Sequence, residues 1–331
     1  MAELEVRRFG PDDTDDVRTA LAVRHATEQV DSPWQRPTLL PAYVAELRHG
    51  WDGEPETPYL ALVDGEVVGT GSVSLTERDN RHLAWLSVRV VPGCRRRGHG
   101  RRLFELLVEE ARATGRTSVA VYGWESEATL AFARAVGVER RSQEIQRRQH
   151  LAELSPGRVQ RLYDEAAAAA GGYELVRMAG RTPPGSREAM AGLMSAINDA
   201  PSDDLDIEDE VFTADRLEAY ESATLARGMR LYRLVARHRG SGALAGHTVV
   251  AVEAAQPSVA EQHDTAVARA HRGHRLGLLL KAGMLLWLAQ AEPRLETIDT
   301  WNAESNDHMV AVNEALGYRV MGRELHFQTS W

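Results

Sequence analysis

Five arginines, Arg95, Arg96, Arg97, Arg101 and Arg102, fall within eight positions, on and just after the stretch VVPGCRRRGHG, which also holds Gly98 and Gly100. The residues up to Val90 favour a strand, Pro92 ends it, and apolar residues at helical spacing follow Gly100, so the arginines sit where a strand passes into a helix. The first backbone N–H groups of a helix have no intrahelical partner and converge on an anion. Glycine permits positive φ and lets a ligand approach the backbone without a Cβ in the way. The helix dipole adds only about 0.3–2 kcal/mol, whereas each hydrogen bond to a charged group contributes roughly 1.5–3 kcal/mol. Amides and guanidinium groups therefore dominate, and the chemistry this predicts is recognition of a polyphosphate.

Other phosphate loops fit less well. The G-x-G-x-x-G pattern is not met, and the G-x-x-x-x-G-K-[ST] loop is absent. With 39 Lys and Arg against 48 Asp and Glu, the net charge is −9, and no aromatic residues interleave the arginines, so nucleic acid is not expected as a partner. Histidines 247, 263, 271, 274 and 308 lack metal-ligand spacing, and the single Cys94 allows no intrachain disulfide and no cysteine zinc site, so no metal is expected. Cys94 reads as a passive loop residue. Hydrophobic residues make up 43% and charged residues 26%, as in a soluble globular protein. The greasiest segment, Leu276 to Ala291, contains Lys281 and is shorter than the ~18–20 residues of a membrane span, and the N-terminal segment has no signal-like apolar run. A cytoplasmic protein without membrane contact, monomer or homodimer, is the expectation.

The elements that must position this loop occur twice. LEVRRF near Val6 is echoed by ELVRM near Val176, an offset of 170; the loop at Arg95 is echoed at Arg272, an offset of 177; and the helix stop at Gly137 is echoed at Gly317, an offset of 180. So small a drift describes a diverged duplication: an N-terminal domain over 1–150, a linker helix within 151–172 built on an alanine run, and a C-terminal domain over 173–331. Each half reads as mixed α/β. In the first, Asp12 to Asp16 start a helix, YLALVDGEVVGTGSVSL is a hairpin turning at Asp64-Gly65, 82–91 a third strand, 100–114 an amphipathic helix and 117–122 a strand. The second half repeats the hairpin, a strand ending in DTAVARA, a helix over 276–290 and the strand TIDTW.

The pattern V-x-P-x-x-R-x-x-G-x-G, here Val90, Pro92, Arg95, Gly98 and Gly100, resembles the coenzyme A-binding motif of the GNAT superfamily of acyl-CoA-dependent N-acyltransferases. Over residues 3–150 the order of elements agrees with that family. The resemblance implies two tandem domains, each a mixed, mostly antiparallel sheet flanked by helices, with acetyl-CoA or another acyl-CoA as cofactor. It implies that Arg95, Arg96, Arg97, Gly98, His99, Gly100 and Arg101 take the pyrophosphate, and that the strand carrying Val88 and Val90 pairs with the pantetheine arm. In the second half, Val267, Arg269, Arg272, Gly273, His274, Arg275, Leu276 and Gly277 correspond, with Arg275 standing where the family has its first glycine. If that position needs positive φ, a non-glycine residue there costs roughly 1–2 kcal/mol, so a reshaped loop is expected, with Arg275 adding a cation. His99 and His274 read as matching loop positions. Asn302 and Asn306 lie in the segment the family places against pantetheine.

Direct transfer from a thioester to an amine requires a free amine, donors to the oxyanion and a proton for the departing thiolate. The tyrosine that often supplies this proton in the family, four residues before the helix-ending glycine, is Ala133 in the first half and Asn313 in the second. A carboxylate base on the third strand is met by Asp264 in the second half, where the first has Ser87. Asp264 reads equally as a strand-end residue bonded to a turn. On this basis Asp264 and Asn313 are the catalytic candidates and the second half the expected seat of catalysis. Residues 203–210, DDLDIEDE, read either as a solvated acidic loop or as an acceptor site in which Asp206 and Glu208 attract a cationic amine. The expected function is N-acetylation of a small amine-containing metabolite or antibiotic-like compound; the alternative is a non-catalytic acyl-CoA-binding or scaffold protein.

Overall fold

The computed structural model describes residues 3–155 and 157–331; Met1, Ala2 and Pro156, which the expected domain and linker ranges include, lie outside the described residues. Along the chain run β1 (Leu4–Arg8), α1 (Thr14–Asp31), α2 (Leu40–His49), β2 (Thr57–Val63), β3 (Glu66–Leu75), β4 (Leu83–Val90), α3 (His99–Ala113), β5 (Ser118–Trp124), α4 (Glu127–Val136) and β6 (Glu139–His150). They continue with α5 (Arg158–Ala169), β7 (Tyr173–Ala179), α6 (Arg187–Met194), α7 (Ala214–Ala226), β8 (Met229–His238) and β9 (Leu244–Glu253). The chain closes with β10 (Val259–Val267), α8 (Leu276–Ala291), β11 (Thr297–Ala303), α9 (Asp307–Ala315) and β12 (Tyr318–Ser330). Two compact units result, one of residues 1–144, 202–209 and 322–331, the other of 145–201 and 210–321.

In the first unit the strand order is β1-β2-β3-β4-β5-β12. All neighbours are antiparallel except β4 and β5, which run parallel. The β2–β3 hairpin turns at Asp64 and Gly65 with φ of 51° and 81°, the left-handed pair that matches the twist of a two-residue hairpin. One face of this sheet packs Leu86, Val119, Val121, Leu325 and Phe327 against Leu103, Phe104 and Leu107 of α3 and Ala133 of α4. On the other, Leu60 and Leu62 meet Val17 and Leu21 of α1 and Tyr43 and Leu47 of α2. Alternation along the strands and 3.6-residue spacing along α3 and α1 send apolar side chains to these two interfaces.

The second unit repeats the scheme with the order β6-β11-β10-β9-β8-β7, again with a parallel pair, β10 with β11, beside antiparallel β10–β9, β9–β8 and β8–β7. Its main core gathers Ala166 of α5, Leu276 to Leu288 of α8 and Val312 of α9 on Val250, Val252, Ala260 and Ile298. α6 and α7 cover the other face through Met190, Leu193, Leu217 and Tyr220.

Two expectations meet a different arrangement. The residues expected to link the halves do form a helix, but α5 is a layer of the second unit: Ala166 is fully buried against α8, which explains why α8 is apolar all round where α3 is amphipathic. The units also exchange chain ends relative to a division at 1–150 and 173–331. Residues 145–150 of β6 belong to the second unit, and Gly322–Trp331, carrying most of β12, complete the first. Ser118–Trp124 of β5 accordingly pair with Glu324–Ser330 from the far end of the chain. A Leu325→Ala variant is expected to lose about 2–5 kcal/mol by cavity formation. Amide exchange should accelerate in residues 118–124 and stay slow in β8 and β9; equal acceleration in both units would refute this placement.

Candidate functional site

The parallel pair of the first unit holds for only four residues, Leu83–Leu86 against Ser118–Val121. Beyond Leu86, β4 stays paired with β3 as far as Val90 and β5 with β12 as far as Trp124, but no longer with each other, so the strands part. A cleft of about 500 Å³ opens between them. Ser87 to Val90 form one wall, Val121 to Trp124 the other, and the loop with Gly98, His99, Gly100 and Arg101 the mouth; Thr129 and Phe132 of α4 and Glu324 of β12 complete it. Gly98, at φ 85°, is the N-cap of α3 and makes no side-chain cap, so the amides of the first turn face the cleft uncapped. A Cβ on Gly100 would sit 3.3 Å from Val90 and 3.5 Å from Phe132, which shows how closely helix and strand approach at the mouth. Val88, Val90, Arg96, Gly98, His99, Gly100 and Arg101 thus line one cavity.

Arg95 lines it too, but its guanidinium is already committed. Nε donates to the Val90 carbonyl at 3.1 Å and the two terminal nitrogens form a fork on Asp31 at 2.8 and 2.6 Å. Such a bidentate ion pair fixes geometry, so Arg95 shapes the loop, and the free charge at the mouth comes from Arg96. Arg97 folds back onto the Gly93 carbonyl at 3.2 Å, and Arg101 pairs with Glu105 at 2.9 Å.

The second unit reproduces the clamp that shapes this loop. Arg272 Nε donates to the Val267 carbonyl at 3.3 Å and its terminal nitrogen to Asp199 at 2.6 Å, with Arg269 joining Asp199 at 2.5 Å. Those two guanidinium groups hold the Asp199 carboxyl below the usual carboxylate range. Positive φ falls at matched positions, Arg96 (65°) with Gly273 (83°) and Gly98 (85°) with Arg275 (56°). The loop is therefore not reshaped by Arg275; Arg275 itself adopts the left-handed conformation and caps α8. Each loop has two left-handed residues and places glycine at one of them. This register also corrects the histidine match: His99 opens α3 as Leu276 opens α8, and His274 corresponds to Arg97.

Around that loop the second unit differs. Tyr173 donates to or accepts from His271 Nδ1 at 3.0 Å, and its ring lies 5.4 Å from that of His274. Arg275 faces Glu165 of α5 at 3.8 Å, and Leu276 and Gly277 are buried. Asn313 does not stand in a cleft as an acid would. It is fully buried, its Oδ1 accepts from Lys281 Nζ at 2.7 Å, and its Nδ2 donates to Asn302 Oδ1 at 3.2 Å. Arg147 also donates to Asn302 at 3.0 Å, so Asn302 belongs to this internal network. Burial lowers the Lys281 amine to about 7. Asn306 caps α9, accepting from the Met309 amide at 3.2 Å.

Asp264 lies in the bulge between Gln262 and Thr265, where an inserted residue re-aims side chains. It is half-buried, and its carboxylate has no hydrogen-bond partner among the described residues; burial raises its pKa above the ordinary aspartate value, against the pull of His263 and Arg233. Asp206 and Glu208 do not form an acceptor site in the second unit. They belong to the first, where Glu208 exchanges two hydrogen bonds with Asn80, at 2.8 and 2.7 Å, and the Asp206 amide donates to Gln328 at 2.8 Å. Their backbone is clamped to the turn before β4.

Sequence reasoning missed Asp31, Tyr122, Trp124, Phe132 and Glu324, all in the cleft.

Residues 24–138 match the model of the acetyltransferase (GNAT) family. A tandem GNAT protein from the clavulanic acid biosynthesis pathway, solved without AcCoA, superposes over 99% of this chain and 98% of its own, with TM-score 0.82 and 28% identity. A GCN5-related N-acetyltransferase from Sphaerobacter thermophilus shares the fold over 99% of this chain and 95% of its own, at TM-score 0.71 and 16% identity. No curated protein matches the sequence.

The exchanged glycines yield a paired prediction. Arg275→Gly is expected to stabilise the protein by about 1 kcal/mol and Gly98→Ala to destabilise it by a similar amount. Denaturant titration measures both, and the same sign for the two variants would contradict the loop geometry.

Proposed function

We propose that this chain, whose residues 24–138 match the GNAT acetyltransferase family and which superposes over 99% of its length on a tandem GNAT protein, transfers an acetyl group from acetyl-CoA to the amine of a small metabolite or antibiotic-like compound, with the donor held in the cleft of the first unit. The observation that carries this reading is the coincidence of uncapped α3 amides, the unpaired edge of β4 and a cavity of about 500 Å³ in one place. The residues fit the donor. The first turn of α3 and Arg96 would hold the pyrophosphate, and the free edge from Ser87 to Val90 would meet the amides of the pantetheine arm. Acyl-CoA supplies an activated carbonyl; the chain orients it against the amine and excludes water with Phe132, Val121 and Phe327. Ser87 stands where a base is sought, so Glu324, the β12 carboxylate lining the same cleft, is the group placed to take the amine proton.

The partially exposed, unpartnered Asp264 favours a second reading, in which it serves as base in the second unit. A non-catalytic acyl-CoA binder is the remaining alternative.

Calorimetric titration with CoA tests the first reading. Wild type should bind, and Gly98→Asp should weaken binding tenfold or more by placing a carboxylate among the pyrophosphate donors. Absence of heat with wild type would refute it, and absence of turnover on amino sugars, polyamines and amino acids despite binding would favour the binder. Asp264→Asn separates the two units: turnover within twofold of wild type supports the first, abolition the second. The same variant has a stability signature. A carboxyl with a raised folded pKa favours the native state in its protonated form, at low pH, and that contribution is lost as pH rises through the folded pKa. Asp264→Asn should therefore melt higher than wild type at neutral pH, with the gain vanishing towards acid.

A further inference from the structure

With alanine at position 133, buried at 4% exposure, that position of α4 has no acid to offer the thiolate. The cleft itself holds another phenol. Tyr122 is the first residue of β5 beyond the parallel pair: Val121 still pairs with Leu86, so Tyr122 lies level with Ser87 at the point where the strands part. It lines the cleft and is 40% exposed. Its ring is wedged 6.4 Å from Trp85 and 6.2 Å from His326, which fixes its direction. Its hydroxyl has no hydrogen-bond partner among the described residues. From Val90 at the mouth to Ser87 the extended backbone spans about 10 Å, at roughly 3.3 Å per residue. A pantetheine arm laid along that edge ends near the level of Tyr122.

We infer that Tyr122 is the hydrogen-bond donor that receives the departing thiolate, taking over from β5 the role that the α4 position has lost. The inference rests on the donor site proposed above. As the amine nitrogen bonds to the carbonyl carbon, the carbon–sulfur bond breaks and its electron pair goes to sulfur. The Tyr122 phenolic proton passes to that sulfur, and the proton that Glu324 takes from the amine nitrogen is returned to the phenolate as the products leave the cleft. The Arg89 guanidinium, held by Ser87 Oγ at 2.7 Å and one of the charges acting on the phenol, stabilises the transient anion. Enclosure in the cleft pushes the phenol up to about 12, with Glu56 and Glu324 adding to the effect of burial, so it remains a donor throughout the working pH range.

The test needs only CoA. A donor at the sulfur lowers the pKa of the bound thiol, read from thiolate ultraviolet absorbance against pH with the full-length protein in excess. Wild type should hold the thiol about one to two pH units below free CoA, and Tyr122→Phe should return it to the free value with CoA affinity changed less than threefold. If wild type leaves the thiol at its free value, or if Tyr122→Phe keeps the shift, the inference is overturned. Failure of CoA to bind at all would instead refute the donor site. Once an acceptor amine is known, Tyr122→Phe should lower kcat tenfold or more with KM for acetyl-CoA unchanged, and a thioester with a more acidic leaving thiol should restore the rate; an equal loss for both thioesters would point to a structural role.

Discussion

The site depends on a short parallel pairing. β4 and β5 share four residues and then separate, as β4 keeps its register with β3 and β5 keeps its own with the C-terminal strand. Two strands that stop pairing leave donors and acceptors facing each other across a gap, and such groups require a partner. Helices α3 and α4 keep the gap open, braced by the edge-to-face contact of Phe104 and Phe132 at 6.0 Å. The cleft is therefore a hydrogen-bonding surface before any side chain is considered, and an extended amide-bearing arm, such as that of the proposed donor, is chemically suited to it.

A loop holding two left-handed residues needs an external constraint, since each non-glycine in that region costs roughly 1–2 kcal/mol. Arg95 and Arg272 supply it in the same way, by gripping the carbonyl that ends the preceding strand and a carboxylate from another element. Asp31 comes from the end of α1 and Asp199 from a turn after α6, so the duplication has kept the clamp while recruiting its acid from unlike places. The exchanged positions of glycine and arginine show that the fold demands two left-handed residues and leaves open which of them is glycine.

The two units have since diverged by charge and packing. In the first, the space beneath the loop is apolar, with Phe104, Ala133 and Gly123. In the second, the matching region between α8, α9 and β11 holds Lys281, Asn313 and Asn302 in mutual hydrogen bonds. A buried amine bonded to a neutral amide is disfavoured in its charged form. That network, together with the buried pair Arg148–Asp299 at 2.6 Å, orders the interior of the second unit. The tandem form thus presents two versions of one loop, of which the first opens onto a cleft.

The sequence by itself determined whatever depends on neighbours within a turn or two. The Asp64-Gly65 hairpin, the start of α1, the amphipathic span of α3, the strand–loop–helix at Val90–Gly100 and its echo at Arg272 all follow from local propensity and spacing, and so does the family resemblance. Tertiary structure decided the rest, because the deciding partners lie far along the chain. Asp31 turns Arg95 from a ligand-binding group into a clamp across 64 positions; Lys281 buries Asn313; Asn80 takes Glu208 out of any acceptor site across 128; and Leu325 completes a sheet begun before Ser118. A residue type fixes which hydrogen bonds and charges are possible, but only the folded chain selects the partner that uses them.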